Sequence, residues 1–367
     1  MIMGLRVSSR LQRVAKLVAI GIAATVVLVA MPILGVETTC VAPRQSAPVT
    51  SSLLDPAHRR DEVNTYLTYP EWSIVHAYED LAAVQRRSSE SDFDYFGSIR
   101  RFWSSLCSIS RLASARGTIS GEYKLMLYTI GISFAGEMGV KGLYEKSIGR
   151  VTSWISSARR TPEDAFALAV ADDYAKFLRQ VPWYEYPFGR TLGRFWTETP
   201  LWGGNIIRKI ERRIALSLEW GLKSLYAKVI AVGAASSPAP LRIRSVVVNL
   251  SADDLAADAR LTLVERRGDK AIIETDRYAT LTDIIRKLAA RGLDFSEIAG
   301  NQNIMVTVFA KDPVLSAEWG VKTLFAVPVE ARPGWQRLVV DVRVGSLAGF
   351  IRALDRSELV LDHVYDY

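Results

Sequence analysis

The sequence predicts an α+β protein with an N-terminal transmembrane helix, a mainly helical domain and a C-terminal ferredoxin-like α/β sandwich. Three observations lead to this prediction. Residues 17–36 form an uncharged, mostly apolar run, residues 61–233 carry helical patterns, and residues 241–367 carry short β-branched segments. Helices and strands repeat with different periods, so the change of pattern before residue 241 indicates a domain boundary.

The apolar run is long enough to cross a bilayer, because about 20 helical residues span the hydrocarbon core of about 30 Å. Residues 1–16, expected as a cytoplasmic tail, contain Arg6, Arg10, Arg13 and Lys16 and no acid. This bias predicts a cytoplasmic N-terminus and export of the following chain. A cleaved secretory signal is the alternative, although its apolar core usually measures about 7–15 residues.

These features predict a single-pass protein of a bacterial inner membrane with a periplasmic body. Residues 37–60 are expected to be a tether, since Val41–His58 is rich in Pro, Ser and Thr. The only cysteines, Cys40 and Cys107, permit one disulfide in an oxidising compartment without requiring it. With 3 histidines and no CxxC pair, the sequence predicts neither a metal centre nor a cofactor.

Composition limits the classes of partner. The chain has 367 residues, of which 49% are hydrophobic and 23% charged, with a formal net charge of +7. These values are typical of a globular protein. An exported body is not expected to meet nucleic acid. The basic excess therefore predicts a lipid bilayer, and anionic lipids in particular, as partner; a solvated basic surface is the alternative.

The helical region at 61–233 is expected to lie close to the membrane. Its clearest helix start is Thr161-Pro-Glu-Asp164, with a capping residue, proline at the first position and acids in the first turn. The helix is expected to continue through Phe166–Leu178. Residues 234–240, rich in Ala, Ser and Pro, predict a linker.

Seven segments beyond the linker are short, alternating and β-branched, and predict strands. They are Arg244–Leu250, Leu261–Glu265, Lys270–Thr275, Ile304–Ala310, Thr323–Val329, Arg337–Val344 and Glu358–Val364. Two helices interrupt them, Leu281–Arg291 capped by Thr280 and Leu347–Leu354 capped by Ser346. The order suits a ferredoxin-like sandwich with an extra hairpin, an architecture that does not by itself assign a function.

A ten-residue pattern that contains a small residue, Glu, Gly and Lys at alternate positions occurs three times, starting at residues 135, 217 and 316. The first two copies contain Ala135, Glu137, Gly139 and Lys141, and Ser217, Glu219, Gly221 and Lys223. Glu and Lys four apart form a favourable helical pair, and small residues four apart let helix backbones approach closely. We therefore expect two equivalent helices packed through their small faces. A functional intramembrane or interfacial site is the alternative, and coincidence is the simpler interpretation of the third copy.

Aromatic and basic residues cluster just ahead of the second copy. They are Phe195, Trp196, Trp202, Arg208, Lys209, Arg212 and Arg213. Rings beside long cations suit a lipid head-group region. The sequence therefore predicts a membrane interface along residues 195–232.

Two pairs of residues are candidates for catalysis. His76 and Asp80 lie four apart on one helical face, as in a carboxylate-oriented general base. Glu185 and Glu198 lie among aromatic residues, which can raise the pKa of a carboxyl group. The alternatives are a surface or capping interaction for the first pair and helix caps within an aromatic core for the second. The chain has no GxSxG elbow, Walker loop, GxGxxG or HExxH motif, which lowers the expectation of a common enzyme class.

Several segments resemble a family of uncharacterised bacterial membrane proteins. They are Tyr66–Trp72, Gly142–Glu145, Pro182–Phe188, Trp196–Trp202, Phe295–Asn301 and His363–Tyr367. The resemblance covers most of the body and implies a bacterial envelope protein, but it implies no activity, substrate or site residue.

Three functional hypotheses follow. The first is a non-catalytic envelope protein with an interaction or assembly role, whose partner is the bilayer, a second copy of the chain or another envelope protein. The second is a membrane-bound enzyme that acts on a lipid or cell-wall precursor. The third is a sensor that binds a small ligand near Glu297–Asn301 in the C-terminal domain.

Overall fold

The computed structural model describes residues 9–44, 51–157, 159–234, 241–312, 315 and 319–367. Nine α-helices come first in this described part. They are α1 (Ser9–Thr39), α2 (Val63–Leu67), α3 (Tyr69–Arg87), α4 (Tyr95–Arg116), α5 (Gly121–Tyr144), α6 (Arg150–Ile155), α7 (Pro162–Leu178), α8 (Phe188–Glu198) and α9 (Ile206–Ala234). A π-helical turn, Glu145–Gly149, joins α5 to α6.

The start of α7 confirms the predicted helix start. The Thr161 hydroxyl accepts a hydrogen bond from the Asp164 backbone N–H, and the Asp164 carboxylate accepts one from the Thr161 N–H. This capping box satisfies two backbone donors that the helix itself cannot pair. Because α7 packs on α3, the cap fixes one wall of the helical region.

Antiparallel sheets follow the helices. Their elements are β1 (Arg242–Val248), α10 (Ala252–Ala256), β2 (Thr262–Arg267), β3 (Lys270–Asp276), α11 (Ala279–Ala290), β4 (Asp294–Ile298), β5 (Asn303–Ala310), β6 (Lys322–Pro328), β7 (Gln336–Arg343), α12 (Val344–Leu354) and β8 (Val360–Val364). Both long helices begin earlier than expected, so Thr280 and Ser346 lie inside them rather than at their caps.

The prediction of a single ferredoxin-like sandwich is wrong. The strands form two four-stranded sheets, ordered β2-β3-β1-β4 and β6-β7-β5-β8. The physical reason is β4, which the sequence prediction missed. It pairs with the free edge of β1 and completes the first sheet, so β5 begins a second sheet instead of extending the first.

The two sheets are tandem units of one topology, which we name unit 1 (β1–β4) and unit 2 (β5–β8). Each unit has three antiparallel strands, a helix and a fourth strand beside the first. The irregularities match as well. The first strand shifts register against the fourth between Val246 and Val247 in unit 1, and between Thr307 and Val308 in unit 2. These are the fifth and sixth residues of β1 and β5.

The faces of the sheets decide where each unit packs. Alternate residues of both sheets enclose α11 and α12 in a shared core that includes Val247, Ile285, Val306 and Leu347. The other face of unit 2 packs on the helical region, where the Tyr66 hydroxyl donates to Asp341 at 2.8 Å. Unit 2 therefore connects the helical region to unit 1.

The predicted transmembrane anchor is contradicted. Residues 17–36 lie on α1, but no helix in the described part of the chain is long and apolar enough to cross a membrane. A span needs about 20 consecutive apolar residues. The last turn of α1 is instead fixed to the body, with Val36 buried and Cys40 bonded to Cys107. The expected single-pass inner-membrane location, with a cytoplasmic N-terminus and a periplasmic body, is therefore overturned.

Part of the expected tether packs on unit 1. Leu54 is buried against Val246 and Ile272, and the Leu53 N–H donates to the Glu297 carboxylate at 2.8 Å. Residues 51–60 therefore form an ordered strap. Residues 45–50 and the expected linker residues 235–240 lie outside the described part.

Candidate functional site

His76 lies at a buried junction between α3 and β8. Its Nδ1 is 3.2 Å from Glu79 Oε2, and its Nε2 is 3.4 Å from the Tyr365 hydroxyl and 3.9 Å from Asp362 Oδ2. Burial lowers the pKa of His76, so the imidazole is held neutral. An imidazole between a carboxylate and a hydroxyl has the arrangement of a general base, but this one is enclosed.

The carboxylate of Asp362 holds the junction together. It accepts hydrogen bonds from Arg337 Nε at 2.7 Å, Arg179 Nη2 at 3.1 Å and Thr307 Oγ1 at 3.0 Å. Burial alone would raise the pKa of Asp362, but the guanidinium groups of Arg337 and Arg179 hold it well below its usual value. The group is therefore ionised and fully engaged in structural contacts.

Asp80 shares a small cavity with His76 but does not pair with it. Its Oδ1 accepts the Ala331 N–H at 2.7 Å, and burial raises its pKa to about 6. The cavity measures about 20 Å³. A space of that size holds about one water molecule. The described residues around His76 therefore leave no room for a substrate.

The other predicted acids are elsewhere. Glu185 and Glu198 are exposed, and Glu198 pairs with Arg194 at 2.8 Å. Neither lines the cavity at His76. Among the described residues, the two candidate pairs therefore do not share one pocket.

The site suggested for a sensor is filled by the chain itself. Glu297 accepts the Ser52 hydroxyl at 2.5 Å, and Asn301 Nδ2 donates to the Arg60 carbonyl at 2.6 Å. The strap therefore occupies the polar groups that a ligand would need. Among the described residues, no group of three or more His, Cys, Asp or Glu side chains could hold a metal ion.

The first two copies of the repeated motif lie on α5 and α9, and the lysine of each copy forms an ion pair with the glutamate of the other. Lys141 Nζ lies 3.1 Å from the Glu219 carboxylate, and Lys223 Nζ lies 2.7 Å from Glu137. Lys223 also lies 3.3 Å from Glu219, its partner four residues earlier. The copies are thus adjacent, as the motif predicted.

Gly139, Gly221 and Ser217 do not make that contact, contrary to our expectation. A methyl group added at Gly139 would meet Ile99 of α4, and one added at Gly221 would meet nothing. Ser217 accepts a hydrogen bond from the Trp196 indole N–H instead of packing on α5. Long ionic side chains bridge α5 and α9 and keep the backbones apart. The third copy falls partly on residues 316–318, which lie outside the described part.

The four cations predicted for a membrane interface are buried, which corrects that prediction. Arg208, Lys209, Arg212 and Arg213 are only 1–4% exposed. The physical reason is a set of carboxylates that face them from several elements. These carboxylates belong to Glu90, Glu145, Glu163, Asp164 and Glu211.

We name these cations and acids, with the α5–α9 ion pairs, the ionic core. Arg212 is its centre and lies 2.7 Å from Glu90 and 2.6 Å from Glu145. Lys141 joins Glu90 to the α5–α9 pairs at 2.8 Å. Charges are therefore paired inside the helical region rather than presented to a partner.

The outward side of α9 is apolar along its whole described length. Eight side chains on this side are between 49% and 78% exposed. They are Ile207, Ile210, Ile214, Leu218, Leu222, Leu225, Val229 and Val232. The described stretch 206–232 exposes one charged side chain, Lys228. Apart from Lys228, the helix thus has its charges inside and its apolar residues outside, the reverse of an ordinary surface helix.

The neighbouring helices extend this surface. The Ser133 hydroxyl of α5 lies 3.3 Å from the Tyr226 hydroxyl of α9. Further exposed apolar side chains of α5 and α6 include Leu125, Val140, Leu143, Val151 and Trp154. We call the exposed apolar side chains of α5, α6 and α9 the apolar face. Of the predicted interface aromatics, Trp196 and Trp202 are exposed, whereas Phe195 is buried.

No family model, curated protein or solved structure matches this chain. The resemblance to uncharacterised bacterial membrane proteins therefore stays a prediction. The apolar face, backed by the ionic core, is the candidate functional site that the geometry provides.

Proposed function

We propose that this protein is a non-catalytic docking protein whose apolar face binds the surface of a lipid bilayer. The single observation that carries the proposal is the inverted amphipathicity of α9, with paired charges inside and apolar side chains outside. The proposal requires no spanning helix, because an interfacial helix inserts only about 5–10 Å into the head-group and acyl boundary.

Charge distribution favours lipid over water at this face. A large group of exposed apolar side chains on a protein surface marks an interaction site. In an acyl environment exposed ions are costly, so ionisable residues face the protein interior and pair with one another. The cations of α9 have that arrangement, since Arg212 contacts three carboxylates and Lys223 contacts two.

Tryptophans support a lipid surface rather than a protein partner. Trp154 and Trp202 are 81% and 79% exposed, and Trp202 lies in the segment that leads into α9. Tryptophan is enriched where acyl chains meet head groups, because its ring is apolar and its N–H is polar. A second copy of the chain is the alternative occupant, and the test below separates the two.

The test is hydroxyl-radical footprinting of the full chain with and without vesicles of phosphatidylcholine and phosphatidylglycerol. Vesicles should protect Leu218, Leu222 and Trp202 from oxidation. Leu263 and Val264, exposed apolar side chains of β2, are the matched control and should stay reactive. Absence of protection by vesicles would overturn the proposal. Protection that instead rises with protein concentration, without vesicles, would replace lipid by a second copy.

A further inference from the structure

A second surface feature lies where the end of α1 meets α4 and the start of α5. Here the described residues leave a cavity of about 260 Å³. Its apolar lining includes Val36, Leu106, Leu127 and Cys40, which is bonded to Cys107 of α4. The disulfide therefore holds the two walls of the cavity together.

Size and lining indicate an apolar ligand. An apolar cavity of about 150 Å³ is known to stay dry and to bind benzene. The cavity beside the disulfide is larger, and most of its lining is carbon. It can therefore take a slender apolar group such as part of an acyl chain, whose transfer from water contributes about 0.8 kcal/mol for each buried methylene.

The charged side chains at the rim of the cavity indicate which kind of head group a ligand would carry. Glu37 lies 2.7 Å from Lys124 and accepts the Tyr128 hydroxyl at 2.6 Å. The hydrogen bonds from Lys124 and Tyr128 lower the pKa of Glu37, so this acid is ionised and balanced by Lys124. Arg44 also lines the cavity, and no described residue forms an ion pair with it. The rim therefore carries one positive charge in excess.

We propose that this cavity binds one single-chain amphiphile with an anionic head, its chain beside the disulfide and its head at Arg44. This inference rests on the proposed function in one respect only: the amphiphile would come from a bilayer in contact with the apolar face. Leu125, an exposed member of that face, stands between the lining residues Lys124 and Leu127 in sequence. The start of α5 therefore contributes side chains both to the cavity and to the apolar face.

The test is calorimetric titration of the full chain with dodecanoate below its micelle concentration. We expect saturable binding of one molecule. Ala42→Trp should weaken it by about tenfold or more, because the indole would fill a cavity whose wall Ala42 forms. Arg44→Glu should weaken dodecanoate and favour dodecyltrimethylammonium, since it reverses the unbalanced charge. Arg286→Glu, an equal charge change on the exposed side of α11, should leave both affinities unchanged.

Two outcomes would overturn the inference. One is the absence of saturable dodecanoate binding. The other is binding that Ala42→Trp and Arg44→Glu leave unchanged although both variants unfold at the wild-type temperature. Vesicle footprinting of Ala42→Trp separates this inference from the proposed function, because protection of α9 should persist when the cavity is filled.

Discussion

Shortening three leucines of the apolar face should abolish its affinity for lipid and leave the fold intact. The perturbation is Leu218→Ala, Leu222→Ala and Leu225→Ala together. These side chains are 61%, 66% and 64% exposed and follow one another along the outward side of α9. Because they are exposed, each change should alter the free energy of unfolding by less than about 0.5 kcal/mol.

The size of the effect follows from the buried carbon. Each substitution removes three carbons, worth about 0.8 kcal/mol each when fully buried. About 60% of each leucine side chain is available to a partner. The loss is therefore about 1.5 kcal/mol per leucine and about 4 kcal/mol for the triple variant, or about a thousandfold in affinity.

Flotation with phosphatidylcholine and phosphatidylglycerol vesicles measures this affinity. Leu263→Ala with Val264→Ala is the control, because it removes exposed apolar carbon from β2, outside the apolar face. The control should float like the wild type. If the triple variant floats as well as the wild type while both are folded by circular dichroism, the reasoning is refuted. Binding would then reside in another part of the chain.

Three further predictions concern stability, each measured by urea unfolding. Arg212→Ala strands two buried carboxylates and should lower the free energy of unfolding by about 3–5 kcal/mol, whereas Arg194→Ala, in an exposed pair, should change it by less than about 1 kcal/mol. Burial raises the pKa of Asp80 from 3.8 to about 6 in the folded protein. As pH rises, the unfolded chain therefore loses the Asp80 proton at a lower pH than the folded protein does. The free energy of unfolding should then fall between pH of about 4 and about 6. Asp80→Asn should remove that contribution, which is at most about 3 kcal/mol, and a slope unchanged by the substitution would contradict the assignment. The Cys40–Cys107 bond joins residues 67 apart in sequence, so its reduction should lower the free energy of unfolding by about 4 kcal/mol. An unchanged urea midpoint would show that the bond does not constrain the unfolded chain.

Local patterns predicted local structure well. The capping box at Thr161 and the alternating residues of β5 and β7 depend on neighbours in sequence, and each lies where the sequence placed it. β4 was missed because Asp294–Ile298 is short and begins directly after a helix and its terminal glycine, Gly292. Because β4 is the edge strand that completes the first sheet, the seven predicted strands could not be divided into two sheets of four.

The candidate site depends on distant partners and was only partly predictable. The sequence indicated that the two motif copies lie together, but not that Lys141 pairs with Glu219 of the other copy. It could not place Arg212 inside, since Glu90 and Glu145 lie far away along the chain. One signal was visible, however. The apolar residues from Ile207 to Val232 recur every three or four positions, which is the spacing of one helical side. The cations between them, Arg208 to Arg213, must therefore lie on the opposite side of α9.

The tandem units have a consequence for folding cooperativity. α12 belongs to unit 2 by sequence, yet it packs mainly against β4 of unit 1, and α11 of unit 1 also contacts β8 of unit 2. Each sheet thus depends on a helix from the other half to cover its apolar side. We expect the halves to unfold together in one calorimetric transition, and neither half to be a foldable fragment by itself.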